Sequence, residues 1–257
     1  MLKLVKFEFL RKRMSFMLAA ALIVLGQIYA LYKYFSINEV IRDNFTEEIL
    51  GIFLGALAVG LILLYLIDLI FLFRNDLFKQ EGYMLFMTPN SGYKLLGGKL
   101  IFALLEGVAI AGIYLSIAFI NLKIMGLESL NLSLLNLSTS EIIIVTKLLM
   151  LMVFMIIEFA LTIYLSFALF KSLFSNNRFK GLITFGIFIL INILKGKVAD
   201  LASTVLNNTF ETIHLSAERF TLLGMGTTLN IAIAATLISS VLMYLGTGYL
   251  LEKRINL

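Results

Sequence analysis

The sequence predicts an all-α membrane protein with six transmembrane helices, and three observations carry that prediction. Hydrophobic residues fill 60% of its 257 positions, charged residues only 14%, and the mean hydropathy is +0.98. A water-soluble domain carries about a quarter charged residues and roughly half apolar ones. The apolar residues also gather in long blocks that a single water-soluble core could not absorb. Lastly, the basic residues are spread unevenly over alternate connections between those blocks.

Blocks long enough to cross a hydrocarbon core of roughly 30 Å lie at 14–35, 49–73, 98–120, 142–170, 181–194 and 227–251. The fifth is short, so its span is expected to begin earlier, near Phe174. With the amino end inside, fourteen of the 21 basic residues fall in cytoplasmic pieces or at Lys99, and seven fall outside. That asymmetry obeys the positive-inside rule, puts both ends in the cytoplasm and explains the net charge of +5 better than a nucleic-acid surface does. The basic start is not read as a cleavable signal peptide, because the apolar run after it is too long and has no small-residue cleavage site.

The connections differ in character. Residues 1–13, "MLKLVKFEFLRKR", mix basic and apolar positions and suit a helix lying on an anionic membrane surface. Residues 74–97 form a cytoplasmic connection too apolar for a solvated linker: Leu77, Phe78, Tyr83, Met84, Leu85, Phe86 and Met87 need a partner or the membrane surface to cover them. Pro89 then stops any helix, and Ser91 is placed to cap the next one. Between spans five and six, residues 197–214 show an amphipathic pattern, with Val198, Leu201, Val205, Phe210 and Ile213 on one face and Lys197, Asp200, Asn207 and Glu211 on the other. This pattern predicts a helix in the outer leaflet interface, closed by the only histidine, His214, as a polar tip. No repeat or domain linker appears, so residues 1–257 read as a single membrane domain.

Charges inside spans are costly and mark functional or pairing positions. Asp68 and Glu106 lie at similar depth on consecutive spans, within reach of Arg74 and Lys99, and suit either an ion-pair cluster or part of a translocation path. Glu158 lies mid-span with Thr162 and Ser166 on the same helical face. This stripe is expected to bond a neighbouring helix or to line a path for a transported molecule. Gly51 and Gly55, continued by Ala56 and Gly60, and Ala103 with Gly107, have the spacing of close helix contacts within a bundle.

The absences narrow the chemistry. Without cysteine there is no thiol nucleophile or disulfide framework, and one histidine makes a Ser-His-Asp triad improbable. The sequence has no phosphate-binding P-loop, HExxH or GxSxG, so no catalytic residue, metal ligand or cofactor site is assigned.

The segment "QEGYMLFMTPNSGYKLLGGKL" resembles the cytoplasmic loop of ABC-2-type permeases, the membrane subunits of a class of ATP-binding-cassette exporters. The matching features are Glu81-Gly82, the apolar stretch Tyr83–Met87, Thr88-Pro89-Asn90-Ser91, Leu95-Leu96 and Gly98-Lys99. Asn90 and Tyr93 depart from the family pattern, which favours an apolar and a basic residue there. The resemblance implies a permease that pairs with a second copy or a sister permease and with separate cytoplasmic ATPase subunits, which would bind the ATP and Mg. It implies a coupling helix at about Asn75–Met87, with Asp76, Phe78, Glu81, Gly82, Tyr83, Phe86 and Pro89 contacting the ATPase. The expected cargo is an amphipathic or membrane-inserted molecule such as a peptide, toxin or antibiotic. The rival readings are a self-contained secondary transporter or channel, and an intramembrane enzyme.

Overall fold

The computed structural model describes residues 2–36, 39–78, 91–124, 139–174, 179–210 and 222–253. Among these there are seven helices and no strands: α1 (Leu2–Arg11), α2 (Arg13–Ser36), α3 (Glu39–Phe78), α4 (Gly92–Ile124), α5 (Thr139–Leu173), α6 (Lys180–Phe210) and α7 (Leu222–Lys253). Five of them contain stretches long and apolar enough to cross a membrane: Gly51–Phe78, Gly92–Asn121, Glu141–Leu173, Lys180–Asp200 and Leu229–Lys253. In α2 the apolar stretch is shorter, Ala19–Tyr32. Large apolar side chains such as Ile52, Val108, Met152 and Leu242 stand exposed on these helices. Helices satisfy their own backbone groups, so such faces suit lipid. The chain is a multi-pass membrane protein.

The chain forms two compact units, one of Met1–Phe71 with Gly98–Leu135 and one of Leu72–Gly97 with Asn136–Leu257. In the first, α1 and α2 meet at Lys12, where backbone hydrogen bonds continue through the bend (Lys12 N–H to Glu8 O, 3.1 Å; Phe16 N–H to Lys12 O, 3.0 Å). In the second, α5 packs on both α7 and α6 and carries more of that unit's buried residues than any other helix, among them Leu161, Tyr164, Phe167, Ala168 and Phe170.

The structure changes three expectations about the helices. The fifth apolar block gains length at its far end, not near Phe174: α5 runs to Leu173, α6 starts at Lys180, and the span reaches Asp200. Residues 197–210 continue α6 without a break instead of forming a separate amphipathic helix, and His214 lies outside the described residues. Likewise Asn75–Phe78, the expected start of a coupling helix, is the last turn of α3, while Glu81, Gly82, Tyr83, Phe86 and Pro89 lie outside the described residues.

Candidate functional site

The first unit holds a network of charges around Lys12 with a buried centre. This lysine sits at the bend between α1 and α2 and donates to both carboxylate oxygens of Glu106 on α4 (3.2 and 3.1 Å). It also reaches the Asp68 carbonyl (3.4 Å) and lies 3.8 Å from the Asp68 carboxylate on α3. Beside it, Glu8 on α1 accepts from Lys99 on α4 (3.0 Å) and pairs with Arg11 one turn along (2.6 Å). The side chains of Glu8 and Lys99 are only 3% exposed and that of Glu106 only 1%. Three acids thus face three bases, and the network is neutral as a whole. Asp68 and Glu106 do form the ion-pair cluster expected of them, but with a different cation: Lys12 replaces Arg74 and Lys99, because Lys99 is taken by Glu8. One turn from Glu106, the Tyr65 hydroxyl donates to the Ala103 carbonyl (3.1 Å) and sits against Gly107. Ala103 and Gly107 therefore do make a close helix contact. At Gly51, Gly55 and Gly60, by contrast, an added Cβ would meet nothing within 4 Å, so that spacing is not used for packing among the described residues.

The second unit holds a smaller cluster with a different character. Glu158 Oε1 accepts from Lys195 Nζ on α6 (3.3 Å) and from the Ser239 hydroxyl on α7 (2.5 Å). Lys195 donates a second bond to the Thr162 hydroxyl (3.1 Å), which itself donates to the Glu158 carbonyl (2.7 Å). The Lys195 side chain stays 26% exposed and that of Glu158 17%. Glu158 lies fifteen residues from Leu173, Lys195 fifteen from Lys180, and Ser239 fourteen from Lys253. At about 1.5 Å per residue, all three stand some 21–22.5 Å from the same end of their spans. Lys195, five residues from Asp200, lies about 7.5 Å from the other end of its own span, inside a core of roughly 30 Å but in the half away from Lys180.

Of the stripe Glu158–Thr162–Ser166, the first two residues belong to this cluster. Ser166 is buried and donates to the Thr162 carbonyl of its own helix (2.7 Å). Lys195 and Ser239 are contributors that sequence reasoning missed. Lys195 follows a short apolar block and precedes Lys197, so it reads as a residue outside the membrane. The available signal was that an unpaired Glu158 at mid-span demands a cation on a neighbouring helix.

The same unit fixes both ends of the connection 79–90. At the end of α3, Leu72, Phe73, Asp76 and Leu77 are buried, with the Phe73 ring edge-on to Tyr164 of α5 at 4.2 Å. Phe78 packs against Phe167 and Phe170 (6.0 and 5.8 Å between ring centroids), with the ammonium groups of Lys171 and Lys180 near its ring. Of the residues expected to contact a partner, Asp76 and Phe78 therefore lie within the chain's own packing. At the start of α4, Ser91 caps the helix as expected (Lys94 N–H to Ser91 Oγ, 3.4 Å). Tyr93 lies flat against Gly248 of α7, where any Cβ would overlap its ring, and its carbonyl accepts from the Tyr244 hydroxyl (2.8 Å). Tyr93 is thus a packing element of the second unit.

Comparison with protein-family models, curated proteins and solved structures finds no match to this chain.

Proposed function

We propose that the chain is the membrane subunit of an ATP-driven exporter of the ABC-2 type, with α2 as the sixth span, both termini in the cytoplasm of a bacterial cell, and α1 lying on the inner membrane surface. It works as a dimer with a second copy or a sister permease, and a separate cytoplasmic subunit binds and hydrolyses ATP. The motif-bearing segment from Gln80 to Leu100 supports the family reading, as does the order of helices around it. The observation that carries the mechanism is that both stems of this connection are anchored in one packed unit: the end of α3 against α5, and the start of α4 against α7.

A loop can transmit force only if its ends do not yield. Here the aromatic residues Phe73 and Phe78 fix one stem and Tyr93 the other. A push on Tyr83 or Phe86 from a docked ATPase would then move α5 and α7, and with them the polar cluster at Glu158. A self-contained transporter would have no need of an apolar cytoplasmic loop held in this way.

Mild-detergent purification of the tagged chain from its native membranes tests this reading. A soluble subunit with a phosphate-binding P-loop is expected to copurify and to restore ATP-dependent transport in vesicles. Transport by the purified chain alone, without ATP, would contradict it.

A further inference from the structure

We propose that the Glu158–Lys195 pair is a binding point, inside the membrane, for the polar group of a zwitterionic amphiphile. The inference names the cargo class of the exporter reading and rests on it for its physiological meaning, while the site itself stands on geometry.

The pair is neutral, lies within the spans and is incompletely closed. Lys195 uses two of its three N–H donors, on Glu158 and Thr162. Glu158 spends one oxygen on both Lys195 and Ser239, which leaves Oε2 available to accept. Both side chains keep part of their surface open, unlike Glu106, Glu8 and Lys99 in the first unit. Inside the hydrocarbon core an open charge facing lipid tails is costly, so the open side meets something polar.

Charge balance then selects the ligand. A singly charged group drawn into the cluster would leave a net charge in a low-dielectric region. A headgroup carrying both signs adds none: its cationic end answers Glu158 Oε2, and its anionic end answers the remaining Lys195 N–H. Nearby exposed Met155, Leu194 and Leu242, on α5, α6 and α7, offer apolar surface to the tail of the same molecule. Ser239 and Thr162 hold the two charged groups in place while the ligand exchanges.

Three long-chain photoreactive amphiphiles with phosphocholine, trimethylammonium or sulfate headgroups test the proposal on the full-length protein in vesicles, with labelled positions read by mass spectrometry. Wild-type protein should be labelled on α5–α7 around Glu158 by the phosphocholine probe in preference to the other two. Lys195→Ala should shift the preference toward trimethylammonium and Glu158→Ala toward sulfate, each by about tenfold. The exchanged pair Glu158→Lys with Lys195→Glu, which keeps an ion pair for folding, should retain the phosphocholine preference. Labelling indifferent to headgroup charge in all variants, or no labelling by any probe because a second copy covers the pair, overturns the proposal. Selective labelling of a chain that copurifies with no ATPase would leave the site standing and remove the exporter reading.

Discussion

The charge clusters of the two units are built from the same residue types for opposite ends. Around Lys12, six charged groups form three acid–base sets that join the junction of α1 and α2 to α3 and α4. Glu8, Lys99 and Glu106 are sealed, while Asp68 and Arg11 at the margin stay partly exposed. Around Glu158, one acid and one base, helped by two hydroxyls, stay partly open within the spans. A sealed neutral network has exchanged water for internal partners and has nothing left to offer a ligand. An open pair retains hydrogen-bonding capacity that a ligand can use. The difference teaches that an ion pair in a membrane protein is read by how completely it is closed, not by its presence.

The largest expected effect lies in the sealed network. Lys12→Ala strands Glu106 in a buried site and should destabilise the protein by about 3–5 kcal/mol, measured as thermal unfolding in detergent. The double change Lys12→Met with Glu106→Leu should recover most of that loss, because an apolar replacement leaves no orphaned charge. A double variant as unstable as the single one would show that the network does more than neutralise itself.

At the open pair, Glu158→Ala should lower stability less, by about 2 kcal/mol, yet abolish transport. Equal loss of stability at Glu158 and Lys12 would erase the distinction between the clusters. Within the second unit, Gly248→Ala forces the Tyr93 ring out of its place and should cost about 1–2 kcal/mol while weakening ATPase stimulation. Restored stimulation in Gly248→Ala with Tyr93→Ala would show that the clash was the cause. The smallest effect is expected from the amide pair Gln27–Asn121 in the first unit, which exchanges two hydrogen bonds (2.9 and 3.1 Å). Gln27→Leu removes both and should cost about 1 kcal/mol, from the typical worth of each such bond between membrane helices.

Much of this arrangement was legible in the sequence, and the failures share a cause. Apolar block length located five spanning helices, and Glu158 with Thr162 declared a polar face through simple i, i+4 spacing. The cations that complete each cluster stayed hidden. Lys12 sits in a basic run that reads as a surface anchor, and Lys195 sits beside Lys197 where hydropathy falls away. Hydropathy counts a lysine as polar whether or not a carboxylate on another helix neutralises it. The same blindness ended the fifth span at 194, although the paired Lys195 lets α6 run on through Phe210. The Gly51–Gly55–Gly60 spacing meets no neighbour among the described residues, since small residues permit close packing without requiring it.

The central claim is that the connection between α3 and α4 passes the work of an ATPase into the unit that holds Glu158. The most direct measurement is cargo-stimulated ATP hydrolysis in vesicles, together with ATPase binding, for Tyr83→Ala combined with Phe86→Ala. Large aromatic side chains dominate interface energetics, so the account predicts a folded protein whose affinity for the ATPase falls by about thirtyfold, or roughly 2 kcal/mol, with stimulation lost. Full binding and full stimulation in the double variant would contradict it.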